Sequence, residues 1–485
     1  MDVSSAFDKV WHNGLIAKLN QIGVKDLFLQ TIISYLAGRK QIVVVDGKKS
    51  NILEITAGVP QGSRLGPLLF IIYMNDIVAE IESEILIFAD DTSLIATGTD
   101  PVETADILNR DLIRISQWAE KWKVVFNAKK SKDIIFSNKY LNNSPPLTFG
   151  DTFIERVNTH KHLGLIFSSD LDWTQQINEV SLKANRKLSV LRSVKLLNRQ
   201  TLDLLYKLTV RSVLDFALPV YYKSLKLTDL ARLDSIQYKA GKLVTGACHF
   251  TSKVKLNLEL GWESISDRGD FLSLSLFHKI HLGETRPLIK KCMPKVNFTT
   301  AQTRANIGYI SQKYMGANFE KSFFPNTLKL WNNLPKNIQS KNLVDFKYEI
   351  KQRIKPPRYK HFAKGTKLGN SLLTKIRVGR SNLNQHQFTV GLSDSPTCLC
   401  HYKTESPEHY FLDCFLYSPE RRVLFQQIEH FIPHFQRFNR KEKFDIILRG
   451  IDIDNQEILS TNISLTIAVQ KFIISTKRFS HLDKN

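Results

Sequence analysis

Two carboxylates stand side by side in Phe88-Ala89-Asp90-Asp91, with apolar runs from Ile85 to Ala89 and from Thr92 to Ala96 around them. The pattern predicts strand, tight turn, strand, with both acids at the tip. Adjacent anions repel, so holding them on a rigid hairpin costs free energy unless a cation sits between them. Oxygen-only ligands suit Mg²⁺. A solvated Asp-Asp turn is the plain alternative. A second constellation lies far downstream. Cys398, Cys400, His409 and Cys414 form C-x-C-x8-H-x4-C, thiols and an imidazole that could hold one tetrahedral Zn²⁺. The first spacing is one residue where roughly two to four is usual. A weak or lost site is therefore the alternative, and His401 is a rival ligand. Cys248 and Cys292 read as plain thiols, and five cysteines in so long a chain make no disulfide framework. A reducing setting fits.

The elements that must position these groups are mixed upstream and helical downstream. Lys9 to Leu36 reads as mostly helical, with breaks near Asn13-Gly14 and Gly23. Gln41 to Val45 and Leu53 to Thr56 read as strands around the turn Asp46-Gly47. Pro67 suits the first position of a helix over 68–81, and Asp100-Pro101 opens another that runs to about Lys123. Short strands are expected near Thr152 to Glu155 and Leu163 to Phe167. From Trp173 the period is helical. Leu202, Leu205, Tyr206, Val210, Val213 and Phe216 share one face, and Arg199, Asp203, Lys207 and Arg211 another. That charged line reads either as a solvated face or as a helix laying Lys207 and Arg211 against a duplex backbone. Residues 283–303 lose periodicity and read as a linker. Residues 351–380 hold ten Lys or Arg and no Asp or Glu, interleaved with Tyr359, His361 and Phe362. They read either as a solvated basic linker or as a surface for phosphates and unpaired bases.

A chain of 485 residues is long enough for several domains with substantial cores. The 68 basic and 46 acidic residues leave a net charge of +22, which points to a polyanionic partner, nucleic acid first. The apolar run Leu68 to Met74 is broken by Asn75 and Asp76, so no segment is expected to span a bilayer. Met-Asp-Val-Ser-Ser is no signal peptide. An intracellular protein with no membrane partner is expected, with nucleus or cytoplasm left open.

Read in order, Asp2-Val3-Ser4-Ser5-Ala6-Phe7-Asp8, Gly58 to Pro67 (GVPQGSRLGP), Phe88 to Asp91, Asn127 to Ser131 (NAKKS) and His162-Leu163-Gly164-Leu165 resemble palm motifs A to E of reverse transcriptases from non-LTR retrotransposons of the LINE and jockey kind. Leu171-Asp172-Trp173, Leu328 to Pro335 (LKLWNNLP) and Cys398 to Cys414 resemble later segments of the same family. The resemblance implies an α+β fold: a right-hand polymerase palm over 1–170, a helical thumb over 171–283, a basic post-thumb linker region over 284–380, and a mostly helical C-terminal region with a Cys/His knuckle over 381–485. It implies an RNA-directed DNA polymerase that joins dNTPs to a primer 3′-hydroxyl by two-metal phosphoryl transfer. Asp2, Asp90 and Asp91 would be the ligands of two Mg²⁺ or Mn²⁺. Asp8 would be structural. Phe7 would be the steric gate that favours dNTPs, although a core aromatic reads equally simply. Gln61 and Gly62 would contact nucleotide and template. Lys130 would be the general acid, with Lys129 and Lys132 as rivals. Leu163 and Gly164 would form the primer grip by their backbone. The partners would be an RNA template, a DNA primer or target, and dNTPs, with the oligomeric state left open.

The family carries a fingers region ahead of motif A and often an apurinic-type endonuclease, whereas this sequence starts one residue before Asp2. The expectation is that Asp2 frays for want of a strand and that this polypeptide alone polymerises poorly or not at all. The competing readings are a non-catalytic nucleic-acid-binding remnant, and an RNA-dependent RNA polymerase or group II intron maturase with the same paired acids.

Overall fold

Short helices and two-stranded hairpins alternate through the first 171 residues because apolar stretches there are cut every ten to twenty positions by turn residues. A computed structural model describes all residues except 4–5, 138–143, 286–288, 290–291, 294–308, 310–316, 355–359, 402, 452–455 and 480–485. It divides the chain into two compact units, Met1–Leu171 and Asp172–Asn485. In the first, helices His12–Gln21, Leu65–Met74 and Pro101–Lys121 turn Leu15, Leu19, Leu69, Phe70, Ile115 and Ala119 into one core. Each such side chain contributes about 1.5–3 kcal/mol when fully buried, less for alanine. Asp100 caps the long helix by accepting from the Val102 amide, with Pro101 behind it.

Several element boundaries move. Asn13-Gly14 does not break a helix: it lies inside His12–Gln21, where a Cβ on Gly14 would meet the Trp11 ring at 2.5 Å. The glycine makes room for an aromatic ring rather than a turn. Gly23, at φ 93°, does end the run before Asp26–Leu36. The helix Leu65–Met74 starts two residues ahead of Pro67 and passes into a 3₁₀ turn, Asn75–Val78. Lys40–Gln41 pairs with Leu53–Glu54, and Val44–Val45 with Lys48–Lys49 across Asp46-Gly47, both at positive φ.

The regular elements described in the second unit are helices, with Thr397 bridged to Thr404. Arg199–Leu205 continues through a π-helical turn, Tyr206–Arg211, into Ser212–Asp215. The wider turn keeps Leu202, Tyr206, Val210 and Leu214 on the core side and leaves Phe216 half exposed, which shifts the expected apolar face. The expected charged face is corrected at its two arginines, while Asp203 and Lys207 are half-buried and pair with each other. Arg199 and Arg211 are buried, not solvated and not open to a duplex. Arg199 binds Glu259 at 2.8 Å and Arg211 binds Glu263 at 3.1 Å.

The basic stretch is corrected in part. His361 and Phe362 are buried, and Lys367–Arg377 is a helix whose Leu372, Leu373 and Ile376 join the C-terminal core. The apolar side of this part is core rather than linker, while Lys351, Arg353 and Lys367 stay exposed. Tyr359 lies outside the described residues, as does most of 283–303. Leu328 and Trp331 of the LKLWNNLP segment pack with Phe277 and Phe346. Against expectation, Ile458–Ser475 is long and apolar enough by composition to cross a membrane. Its Leu465, Val469, Phe472 and Ile473 are buried in the core beside Ser418–Phe431, which is what a core helix of this length does.

Candidate active site and metal centre

Glu84–Phe88 and Asp91–Ile95 form an antiparallel hairpin with Phe88 opposite Asp91, so Ala89 and Asp90 make the turn. Ala89 takes φ 53°, a left-handed value that a residue with a Cβ holds at a cost. Residues 1–3 run beside this hairpin. The Thr92 amide donates to the Met1 carbonyl at 3.0 Å, and on the other side the Asn127 amide donates to the Asp2 carbonyl at 2.8 Å, with Val3 bridged to Phe126. Residues 1–3 are therefore tied by backbone bonds on both flanks, which supports Asp2 from its two neighbours. Burial lowers the pKa of the Met1 ammonium, while the nearby Asp91 and Asp2 carboxylates oppose that. Lys130 Nζ stands 3.4 Å from Asp2 Oδ2, on a turn that Asn127 starts by accepting the Lys130 amide on its Oδ1. Lys132, one rival, is turned to Glu155 instead. The Asp2 and Asp91 carboxylates both act on the Met1 ammonium, but among the described residues Asp2, Asp90 and Asp91 do not converge as a set of ligand atoms.

The Gly58 to Pro67 loop closes on the segment after Asp2. The Val59 amide donates to the Phe7 carbonyl and the Gly58 amide to the Val10 carbonyl, both at 2.8 Å. Gly58 sits at φ 92°, and a Cβ there would lie 2.7 Å from the Asp8 carbonyl oxygen. Gln61 Nε2 donates to Asp8 Oδ1 at 2.9 Å. Asp8 thus ties the loop down, and Gln61 and Gly62 are exposed at its tip. Phe7 is half-buried and packs on Phe70 with ring centroids 4.7 Å apart.

Comparison with known proteins decides what this arrangement belongs to. Residues 1–167 match the family model described as reverse transcriptase (RNA-dependent DNA polymerase). Residues 1–167 are a reverse transcriptase domain. The chain is 32% identical over 289 residues to the RNA-directed DNA polymerase from mobile element jockey of Drosophila funebris, covering 55% of this chain and 30% of that relative. The Drosophila melanogaster jockey polymerase is 29% identical with the same coverage of each. The Pol polyprotein from type-1 retrotransposable element R1 of Bradysia coprophila is 22% identical over 435 residues, 87% of this chain and 40% of the relative. The chain thus spans under half the length of these curated relatives, and it resembles the polymerases of non-LTR elements.

One contact within the reverse transcriptase domain was not legible in its motifs. Thr159–His162 and Leu165–Ser168 form a hairpin turning on Leu163 and Gly164, both at positive φ. His162 Nε2 lies 3.0 Å from Ser93 Oγ, which ties this hairpin to the one that carries Asp90 and Asp91. Neither residue type announces the pairing, since the two lie 69 positions apart.

Beyond the reverse transcriptase domain, the four Cys/His groups do converge. Cys398, Cys400, His409 and Cys414 are all buried, and their ligand atoms lie within 4.8 Å of one another. Cys398 and Cys400 sit on the turn closed by the Thr397–Thr404 bridge, where the Cys398 amide donates to the Lys403 carbonyl. His409 lies on the helix Pro407–Leu412, capped by Ser406, and Cys414 follows it. Cys400 Sγ is 3.3 Å from His409 Nε2, and Cys398 Sγ is 3.6 Å from Cys414 Sγ. Backbone amides of Cys400 and Leu416 point at the Cys398 and Cys414 sulfurs, favouring thiolates. Burial nevertheless pushes the Cys398 thiol up to about 12. Such a pocket takes thiolates readily only with a cation inside it. His401, the rival ligand, is exposed and stands outside the set. The donor set, S₃N with every member buried, fits a tetrahedral zinc ion despite its short first spacing.

Proposed function

We propose that this chain is the polymerase part of an RNA-directed DNA polymerase of the non-LTR retrotransposon type, adding dNTPs to a primer 3′-hydroxyl on an RNA template. One observation carries the reading: residues 1–3 pair with Thr92 on one side and Phe126–Asn127 on the other, so Asp2 stands beside the Asp90–Asp91 hairpin with Lys130 at hand. Asp2, Asp90 and Asp91 are the oxygen donors that would hold two Mg²⁺ or Mn²⁺. Bound there, such an ion pair lowers the pKa of the primer hydroxyl and neutralises the leaving pyrophosphate. Lys130, anchored through Asn127, is the proton donor to that pyrophosphate. Phe7, backed by Phe70, bars a ribose 2′-hydroxyl. Gln61 and Gly62 meet nucleotide and template, and the backbone at Leu163 and Gly164 grips the primer. The Cys398, Cys400, His409 and Cys414 centre holds zinc and stiffens the C-terminal region against nucleic acid.

The test is extension of a DNA primer annealed to an RNA template, with Mg²⁺ or Mn²⁺ and labelled dNTPs. Extension by the purified chain is expected to be weak, and Asp90→Ala to abolish what there is while leaving salt-sensitive template binding intact. Binding without any extension would leave a nucleic-acid-binding protein and remove the enzyme.

A further inference from the structure

Buried arginines in the second unit come with a glutamate. Arg199 and Arg377 share Glu259, Arg211 has Glu263 and Arg478 has Glu405. Arg421 breaks the rule. It lies on the helix Ser418–Phe431 and is only 6% exposed. Its Nη2 donates to the Cys414 carbonyl, and its Nη1 is buried with no hydrogen-bond partner. Among the described residues it makes no ion pair with a carboxylate. Two carboxylates act on it from a distance without contacting it: Asp413 is already clamped by Arg440 through two bonds of 2.7 Å, and Glu420, its neighbour on the helix, makes no ion pair with it among the described residues. A desolvated guanidinium without an anion is costly, and such a group is kept only where something compensates it.

The compensation is at hand in the neighbouring donor set. A divalent ion held by three thiolates and one neutral imidazole carries a single net negative charge. Buried, that charge needs one positive partner as much as Arg421 needs a negative one. His409 leaves its Nδ1 buried and unpartnered, with Asp413 Oδ2 3.9 Å away, so the imidazole side of the set already faces its own carboxylate. The thiolate side faces Arg421, which reaches the backbone of Cys414 itself. We infer that Arg421 is the built-in counter-ion of a zinc–trithiolate–imidazole centre, a positioning residue that sets how tightly the metal is held. The inference rests on the zinc reading of this cluster.

The test uses the full chain, reduced and loaded with Zn²⁺, with affinity read by competition against a chromophoric chelator. Co²⁺ substitution reports sulfur ligation by its absorption. Arg421→Met is expected to weaken zinc about ten- to a hundredfold, the usual effect of removing an outer partner of a metal site. Arg421→Lys, which keeps the charge, retains most of the affinity, and Arg422→Met on the exposed face changes nothing. The zinc-induced rise in melting temperature shrinks in Arg421→Met, whereas the metal-free variant melts close to the metal-free parent. Wild-type affinity in Arg421→Met overturns the inference. So does an equal loss of stability with and without zinc, or an Arg421→Lys as weak as Arg421→Met, since each assigns the residue to packing. A parent chain that takes up no zinc sinks the zinc reading itself, a result distinct from all of these.

Discussion

Gly58 shows what one missing Cβ does for the candidate active site. Its amide bonds Val10, its neighbour Val59 bonds Phe7, and its α-carbon passes so close to Asp8 that a side chain would overlap the carbonyl. Gly47 also has a positive φ, 78°, but nothing lies within 4 Å of where its Cβ would be. The two positions separate backbone strain from steric exclusion. Gly47→Ala should cost on the order of 1 kcal/mol in denaturant unfolding and leave primer extension unchanged. Gly58→Ala should cost about 1–3 kcal/mol and depress extension as well, because the loop must lift Gln61 away from Asp8. Equal costs at both sites would mean that the loop does not need its close approach. The glycine-rich loop was plain in the sequence, since an ordinary turn needs fewer special residues. Its partner was not, because a hydrogen bond from Gln61 to Asp8 leaves no trace in either residue's surroundings along the chain.

Among the elements, the run from Arg199 to Asp215 separates what periodicity can tell from what it cannot. Four-residue steps of Arg199, Asp203, Lys207 and Arg211 describe a face, but not what the face meets. The glutamates that bury the two arginines come 52 to 60 positions later, beyond any local window. The π-helical turn was equally hidden, since it adds no special residue. The same run still told apolar from charged correctly, and Leu202, Tyr206 and Val210 are in the core as that pattern predicts. The buried network has a measurable consequence. Burial alone would raise the Glu259 carboxyl, but the Arg377 and Arg199 guanidiniums outweigh it and hold the group at about 2 against an ordinary 4.5. A depressed carboxyl stabilises the fold fully above its unfolded value, and that stability is lost as pH falls toward the folded value. The second unit should therefore lose stability between about pH 4.5 and pH 2. Glu259→Gln should be less stable at neutral pH, because two arginines lose their anion, and its stability should vary less across that window. Denaturant melts at stepped pH measure both, and an unchanged pH slope in the variant would detach the acid sensitivity from this network.

For the whole molecule, the net charge of +22 is a sum over 68 basic and 46 acidic residues and carries no positions. Composition could therefore name nucleic acid as the class of partner, but not the surface that meets it. The division into Met1–Leu171 and Asp172–Asn485 likewise follows no linker signal. It falls just after the last strand of the reverse transcriptase match, where the core changes hands from one set of helices to another. Two units with separate cores should melt separately, and only one of them contains the Cys398, Cys400, His409 and Cys414 set. Metal that binds the native state alone stabilises whatever unfolds with its site. Stripping zinc with a chelator selective for it over Mg²⁺ should lower the calorimetric transition of the second unit by several degrees, and leave that of the reverse transcriptase domain in place. Mg²⁺ with a bound primer–template should do the reverse, raising the first transition more than the second. A single transition that shifts as one under either treatment would mean that the two cores unfold together, and that neither ion reports on its own unit.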